Sequence, residues 1–327
     1  MKRQVMACLL AVIVIALLPA LGVYPIFVMN VMCFALFACA FNLLLGYTGL
    51  LSFGHAAFLG GAGYAAGHAM AVWGFPTALG ILFGTLVATV MGLIMGALAI
   101  RRSGIYFAMI TLALAQMVYF YFLQAPFTHG EDGLQRIPRG SLLGLDLGHD
   151  INLYYVVLVI FLFGFAVCWR TIKSPFGQTL KAIRENEPRA ISLGYEVDRF
   201  KLLCFVLSAA LSGLAGATKA VVFGSATLSD ATWQLSGLVI LMTLIGGVGT
   251  FTGPVVGAVI VVVLENQVGT FGHFLAMATG IQEFQVLGES VSIVIGLIFM
   301  ICVMAFRRGI VGELGAYVRS FRRPNRD

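Results

Sequence analysis

The feature that most constrains this chain is a succession of unbroken apolar runs, each about 18 to 22 residues long, divided by polar joints. Coiled as an α-helix at 1.5 Å per residue, a run of that length crosses the roughly 30 Å hydrocarbon core of a bilayer. A membrane barrel would instead read as short strands of alternating polarity, and these runs are continuous. Composition agrees: 60% of the 327 residues are apolar, 10% are charged and the mean hydropathy is +0.98. Soluble domains carry about 25% charged residues. So few polar groups cannot cover a water-soluble protein of this size, which excludes a soluble enzyme. The net charge of +6 does not signal nucleic-acid binding, because the basic residues sit between apolar runs and form no solvated domain. The fold class is therefore all-α, a polytopic helical protein whose main partner is the lipid bilayer.

Ten spans are expected, at roughly 5–23, 26–45, 55–73, 77–99, 105–123, 153–169, 202–222, 233–250, 254–271 and 288–306. The first resembles a signal peptide, with Lys2 and Arg3 before an apolar run and Ala20-Leu21-Gly22 after it. Tyr24-Pro25 leads straight into the next span, so the first is read as retained. These spans put 17 of the 20 Lys and Arg on one side, which makes that side cytoplasmic and places both termini inside. Arg136 and Arg139 fall outside, with Glu131, Asp132, Asp146 and Asp150, in an external loop at 124–152. The membrane domain then covers 1–306, and 307–327 is a basic cytoplasmic tail. Ten spans divide into five plus five, and an odd number per half forces an inverted arrangement of the halves. Breaks at Gly46–His55 and Gly224–Thr232 fall at matching places, although the halves share no convincing residue-level repeat.

The longest polar stretch between spans is 170–201. Ser174-Pro175 starts a short helix, Pro188 suits the first turn of a second, and Gly194 ends it, with Leu180, Ile183, Ile191 and Leu193 as anchors. On pattern alone this is equally a solvated loop that keeps the protein oriented or a docking site for a cytoplasmic partner. Ionisable residues inside spans default to function. Glu265 lies 12 residues past Gly253, about 18 Å in, and depth permits a contact with Lys219; alternatively the helix ends near Leu264 and Glu265 is wet. Candidates to line a path are Thr48, Ser52 and His55 in the first break, Thr111, Gln116 and Thr243 within spans, and Glu265. Among packed helices such hydroxyls and amides more often bond to backbone. Glycines four apart, such as Gly80 and Gly84 or Gly92 and Gly96, allow close helix approach, read mainly as packing within the subunit. Cys8, Cys33, Cys39, Cys168, Cys204 and Cys302 lie in or beside apolar runs as small buried thiols. No His pair has metal-ligand spacing and HExxH is absent, so no metal and no cofactor is expected.

Three stretches carry a resemblance. Gly46-Tyr47-Thr48-Gly49-Leu50-Leu51-Ser52-Phe53-Gly54-His55-Ala56-Ala57-Phe58, Arg102-Ser103-Gly104-Ile105-Tyr106-Phe107-Ala108-Met109-Ile110-Thr111-Leu112-Ala113 and Leu244–Gly257 resemble the LivM-type permeases of high-affinity branched-chain amino acid ABC importers. The likeness runs from about residue 26 to 308. It implies a bacterial inner-membrane permease that moves leucine, isoleucine and valine by alternating access. The implied partners are a second, different permease subunit, two cytoplasmic ATPase subunits and a periplasmic substrate-binding protein. The 174–194 stretch resembles the loop that meets the ATPase, which nominates Lys181, Arg184, Glu185, Glu187, Arg189, Ala190 and Gly194 for coupling. Importers in general carry Glu-Ala-Ala-x-x-x-Gly there; here only Ala190 and Gly194 keep that spacing, with Pro188 in the place of the Glu. No G-x-x-x-x-G-K-[ST] occurs, so any ATP binds another subunit and this chain is not itself an enzyme. The rivals are a permease of the same superfamily for urea or short amides, and an ion-coupled secondary transporter working alone through Glu265 and Lys219.

Overall fold

The computed structural model describes residues 14–142, 144–279, 296–297, 300, 304 and 309–313. The chain is mostly helical. In order come α1 (Pro25–Thr48), α2 (His55–Ala71), α3 (Thr77–Ala99), α4 (Ile105–Gln124), α5 (Asp150–Lys173), α6 (Pro175–Glu185), α7 (Glu187–Ser192), α8 (Val197–Phe223), α9 (Trp233–Gly246) and α10 (Gly253–Thr279). The strands are two residues each, Ser141–Leu142 paired with Leu145–Asp146 in the loop before α5. Among the described residues five helices, α1, α3, α4, α5 and α8, are long and apolar enough to cross a membrane. Both α2, with 17 residues, and α9, with 14, are shorter, and each follows an interruption of the chain.

The centre is α1 packed on α8. Neither side of α1 faces out: Met29, Phe37, Phe41 and Leu44 are fully enclosed, and Pro25 in its first turn and a left-handed Gly49 after Thr48 set its ends. Small residues let the next layer close on this pair. A Cβ on Gly216 of α8 would lie 2.0 Å from the Leu59 carbonyl oxygen of α2, and one on Gly84 of α3 would lie 2.5 Å from that of Ala62. Gly92 sits equally close to the Ala209 methyl. In a bilayer, where burying apolar surface gains little, such backbone approach and its dispersion contacts hold helices together. The spaced glycines therefore pack within the chain, as expected. Cys33, Cys39, Cys168 and Cys204 are buried free thiols.

The peripheral helices differ in what they show outward. Leu79, Leu82, Leu86, Val90, Leu93, Ile94 and Leu98 make the open face of α3 uniformly aliphatic. On α4 the open residues include Tyr106, Met109, Met117, Phe120 and Tyr121.

Several span boundaries need correction. The span expected at 233–250 stops at Gly246, because Gly247 (φ 118°) and Gly249 (φ 74°) turn the chain. The one expected at 254–271 runs from Gly253 to Thr279, so the alternative of a helix ending near Leu264 is overturned. The span at 153–169 extends to Asp150 and Lys173. Hydropathy marks where a helix meets lipid, and a helix continues beyond that point wherever its backbone bonds are made. Residues 5–13 of the first span, most of the last, Cys8, Cys302 and most of the tail lie outside the described residues.

Candidate functional site

One end of the bundle carries the α6–α7 hairpin, and its start signals are those read from sequence. Ser174 Oγ accepts from the Gly177 amide at 3.3 Å, and the Asn186 side chain accepts from the Arg189 amide at 3.0 Å. Gly194 turns with φ +85°. Leu180, Ile183 and Ala190 are buried, Ile183 and Ala190 with Val197 against Phe200. Ile191 and Leu193 are corrected: at 58% and 69% exposed they point away from the bundle and anchor nothing. Exposed Tyr195, Glu185 and Arg189 stand beside them.

Two of the coupling candidates are committed inside the chain. Glu187 bonds Lys201 Nζ at 2.6 Å and so holds α7 on α8. Arg184 donates from Nη1 to the Gly46 carbonyl, one of the last four of α1, which have no partner within the helix. A cation there also meets the negative end of the helix dipole. Lys181 places its ammonium 5.5 Å from the Tyr47 ring centre. The other side of this helix end holds the α9–α10 turn. Asn42 accepts from the Gly249 amide at 2.9 Å and donates to the Thr250 carbonyl at 2.9 Å, while Tyr47 donates to the Gly249 carbonyl at 3.1 Å.

Immediately beyond, residues 49–54 interrupt the helices within the bundle: Thr111, which they reach, is six residues into α4, about 9 Å from the start of a helix long and apolar enough to cross a membrane. Unpaired amides in hydrocarbon would cost several kcal/mol each, and hydroxyls meet them instead. Leu50 N donates to Thr48 Oγ1 (3.4 Å), Phe53 N to Thr111 Oγ1 (3.2 Å), Gly54 N to Ser52 Oγ (3.1 Å) and Ala56 N to Ser236 Oγ (3.0 Å). His55 is fully buried among Phe41, Phe58 and Phe205. Ser208 gives its proton to the Ala40 carbonyl (2.5 Å), so it accepts from His55 Nε2 (2.8 Å), which assigns the proton to Nε2. Thr48, Ser52, His55 and Thr111 thus come together, but as the seam of a closed interruption. Thr243 is buried in α9 and bonds the Val239 carbonyl; Gln116 is half-buried on α4, and Glu265 is exposed on α10.

At the opposite end of the bundle, residues 224–232 follow the left-handed Gly224 that ends α8. The loop before α5 is tied to them: Leu134 and Ala226 exchange backbone bonds of 2.9 and 2.8 Å, and Ile137 N donates to the Gly224 carbonyl. Arg139 donates to the Val222 carbonyl at 2.9 Å, at the end of α8, and pairs with Asp150 at 2.6 Å. The proposed Glu265–Lys219 contact is corrected: Lys219 pairs with Asp230, both largely buried, with Phe34 and Phe223 near the ammonium. Sequence reading missed Asn42, Tyr47, Arg139, Ser208 and Ser236. Asn42 was findable, as one of two amides, with Asn30, in a largely apolar span. Among the described residues no three His, Cys, Asp or Glu side chains converge to hold a metal.

A family model described as "Branched-chain amino acid transport system / permease component" matches residues 23–304. The chain belongs to that family. Its members are transport-system components, not enzymes. The high-affinity branched-chain amino acid transport system permease protein LivM of Salmonella typhimurium is 27% identical over 275 residues, and LivM of Escherichia coli is 28% identical over the same length. Each match covers 76% of this chain and 64% of the relative, so the chain spans less than two thirds of those proteins. The ribose import permease protein RbsC of Bacillus subtilis is 28% identical over 173 residues, covering 49% of this chain and 51% of the relative. No solved structure matches the chain significantly.

Proposed function

We propose that this protein is the membrane-spanning permease of an ATP-driven importer that carries leucine, isoleucine and valine by alternating access. The observation that carries the reading is the α6–α7 hairpin, a rigid two-helix unit with Ile191, Leu193 and Tyr195 exposed beside Glu185 and Arg189. Apolar side chains ringed by charge, held out on a basic face, suit a soluble partner, and membership of the permease family supports reading that partner as an ATPase subunit. A second permease is assigned to α4, whose open Tyr, Met and Phe side chains suit protein, while the aliphatic face of α3 suits lipid. A binding protein would dock where the 124–152 loop and the 224–232 segment are tied together.

The same reading puts the chain in the bacterial inner membrane, with ten spans, inverted halves and cytoplasmic termini. Support for the inversion comes from α1 and α8. Each ends at a left-handed glycine, is followed by an interruption and then by a short helix, and the two interruptions lie at opposite ends of the bundle.

The test is a mild-detergent pull-down of tagged protein from its native membrane, followed by labelled-leucine uptake. Co-purification of an ATPase subunit that is lost when Ile191 and Leu193 are changed to Ser, together with ATP-dependent leucine uptake, is the expected result. Uptake displaced by urea instead would move the substrate to short amides. Protein that comes down alone, with uptake following an ion gradient, would overturn the importer reading.

A further inference from the structure

We propose that Arg184 is a positioning residue that carries movement of the α6–α7 hairpin into the 49–54 interruption and the α9–α10 turn at once. It does so because its head group lies between the end of α1 and the α9–α10 turn. This inference rests on the hairpin being the surface on which the ATPase acts.

The groove that holds Arg184 is made by missing side chains. A Cβ on Gly49 would lie 3.3 Å from Arg184 Cγ, and one on Gly249 would lie 3.2 Å from its Nη1. Gly46 has no room either: its Cβ would fall 2.8 Å from the Gly249 amide nitrogen. The guanidinium thus sits where two backbones touch, bonded to the carbonyl of Gly46. A charged donor to an otherwise orphaned carbonyl makes a stronger bond than a neutral pair, and the rigid fork of arginine loses little freedom in making it.

What lies beyond each backbone gives the contact its meaning. Three residues after Gly46 the chain turns at left-handed Gly49 into the 49–54 interruption. On the other side, Gly249 belongs to the turn whose positive-φ glycines join α9 to α10, and Asn42 and Tyr47 bind that turn to α1 with three hydrogen bonds. A displacement of α6 therefore cannot reach the 49–54 interruption without the α9–α10 turn. Helices are stiff, whereas glycine joints absorb changes of φ and ψ, so the motion is delivered where the domain can bend. Among the described residues no carboxylate lies within salt-bridge distance of Arg184, so the link is one that can be drawn and reset.

The experiment uses the complex reconstituted in proteoliposomes with its ATPases, second permease and binding protein. ATP hydrolysis and labelled-leucine uptake are read in the same vesicles. For Arg184→Gln the expected result is an intact complex that hydrolyses ATP within about twofold of the parent but moves about tenfold less leucine per ATP. Arg184→Lys, which keeps a charged donor, recovers part of the ratio. Gly249→Ala, at the receiving end, gives the same uncoupling; a merely structural role would lower hydrolysis and uptake together and leave the ratio unchanged. An unchanged leucine-to-ATP ratio in Arg184→Gln overturns the relay and leaves the importer reading standing. Loss of the ATPase from that variant also overturns it, by making Arg184 a docking contact. Failure of the parent to retain any ATPase overturns both.

Discussion

The two interruptions of the bundle are built alike and fastened differently. At each, a buried helix ends at a left-handed glycine, Gly49 after α1 and Gly224 after α8, and a distant arginine caps one of its last carbonyls, Arg184 of α6 on Gly46 and Arg139 of the loop before α5 on Val222. Around Arg139 the charges are closed, with Asp150 on the arginine and Asp230 on Lys219 nearby in α8. Around Arg184 the remaining bonds are neutral, between the Asn42 and Tyr47 side chains and backbone. The Lys219–Asp230 pair, largely shielded from water, is costly to separate, whereas amide and hydroxyl bonds exchange partners readily. One junction is locked, and the other is a tether suited to motion.

The largest effect should come from unlocking. Asp230→Ala leaves Lys219 buried without its partner, and about 3–5 kcal/mol of stability should be lost, read as a lower thermal midpoint in detergent. Adding Lys219→Met should restore most of it; if the double variant is no better, the pair is not what fastens this junction. An intermediate effect is expected from the same change at both junctions. Gly49→Ala and Gly224→Ala each force a side chain into left-handed backbone, at about 1–2 kcal/mol. Gly49→Ala should also depress leucine uptake, because its new methyl meets the stem of Arg184, and equal uptake in the two variants would erase the distinction. The smallest effects are at the arginines. Arg139→Gln loses a cap and a partly exposed ion pair, about 1 kcal/mol, and Arg184→Gln about half that. A stability order reversed between these two would contradict the contrast of lock and tether.

Much of the scaffold was legible in the residues. Apolar runs located α1 to α5, α8 and the starts of α9 and α10 within a few residues, since lipid admits backbone only when its bonds are internal. Ser174-Pro175 and the glycine-rich 46–55 stretch marked a helix start and an interruption because their backbone chemistry is local. The candidate site was less legible. Thr48, Ser52 and Thr111 read as path-lining hydroxyls, and that they also bond the backbone of an interruption was not legible in the residues. Ile191 and Leu193 read as anchors, because apolar spacing on a six-residue helix does not say which face the bundle covers.

The sequence by itself determined that this chain enters a membrane, that it does so as helices, and where most of those helices start, because hydropathy, capping and glycine conformation act within a few residues. Only the tertiary structure decided which charge meets which. Lys219 takes Asp230 and not Glu265, and Arg184 reaches Gly46 across 138 residues. Those choices depend on how each helix is rotated about its axis and how closely glycines let neighbours approach, and neither is written in any single stretch of residues.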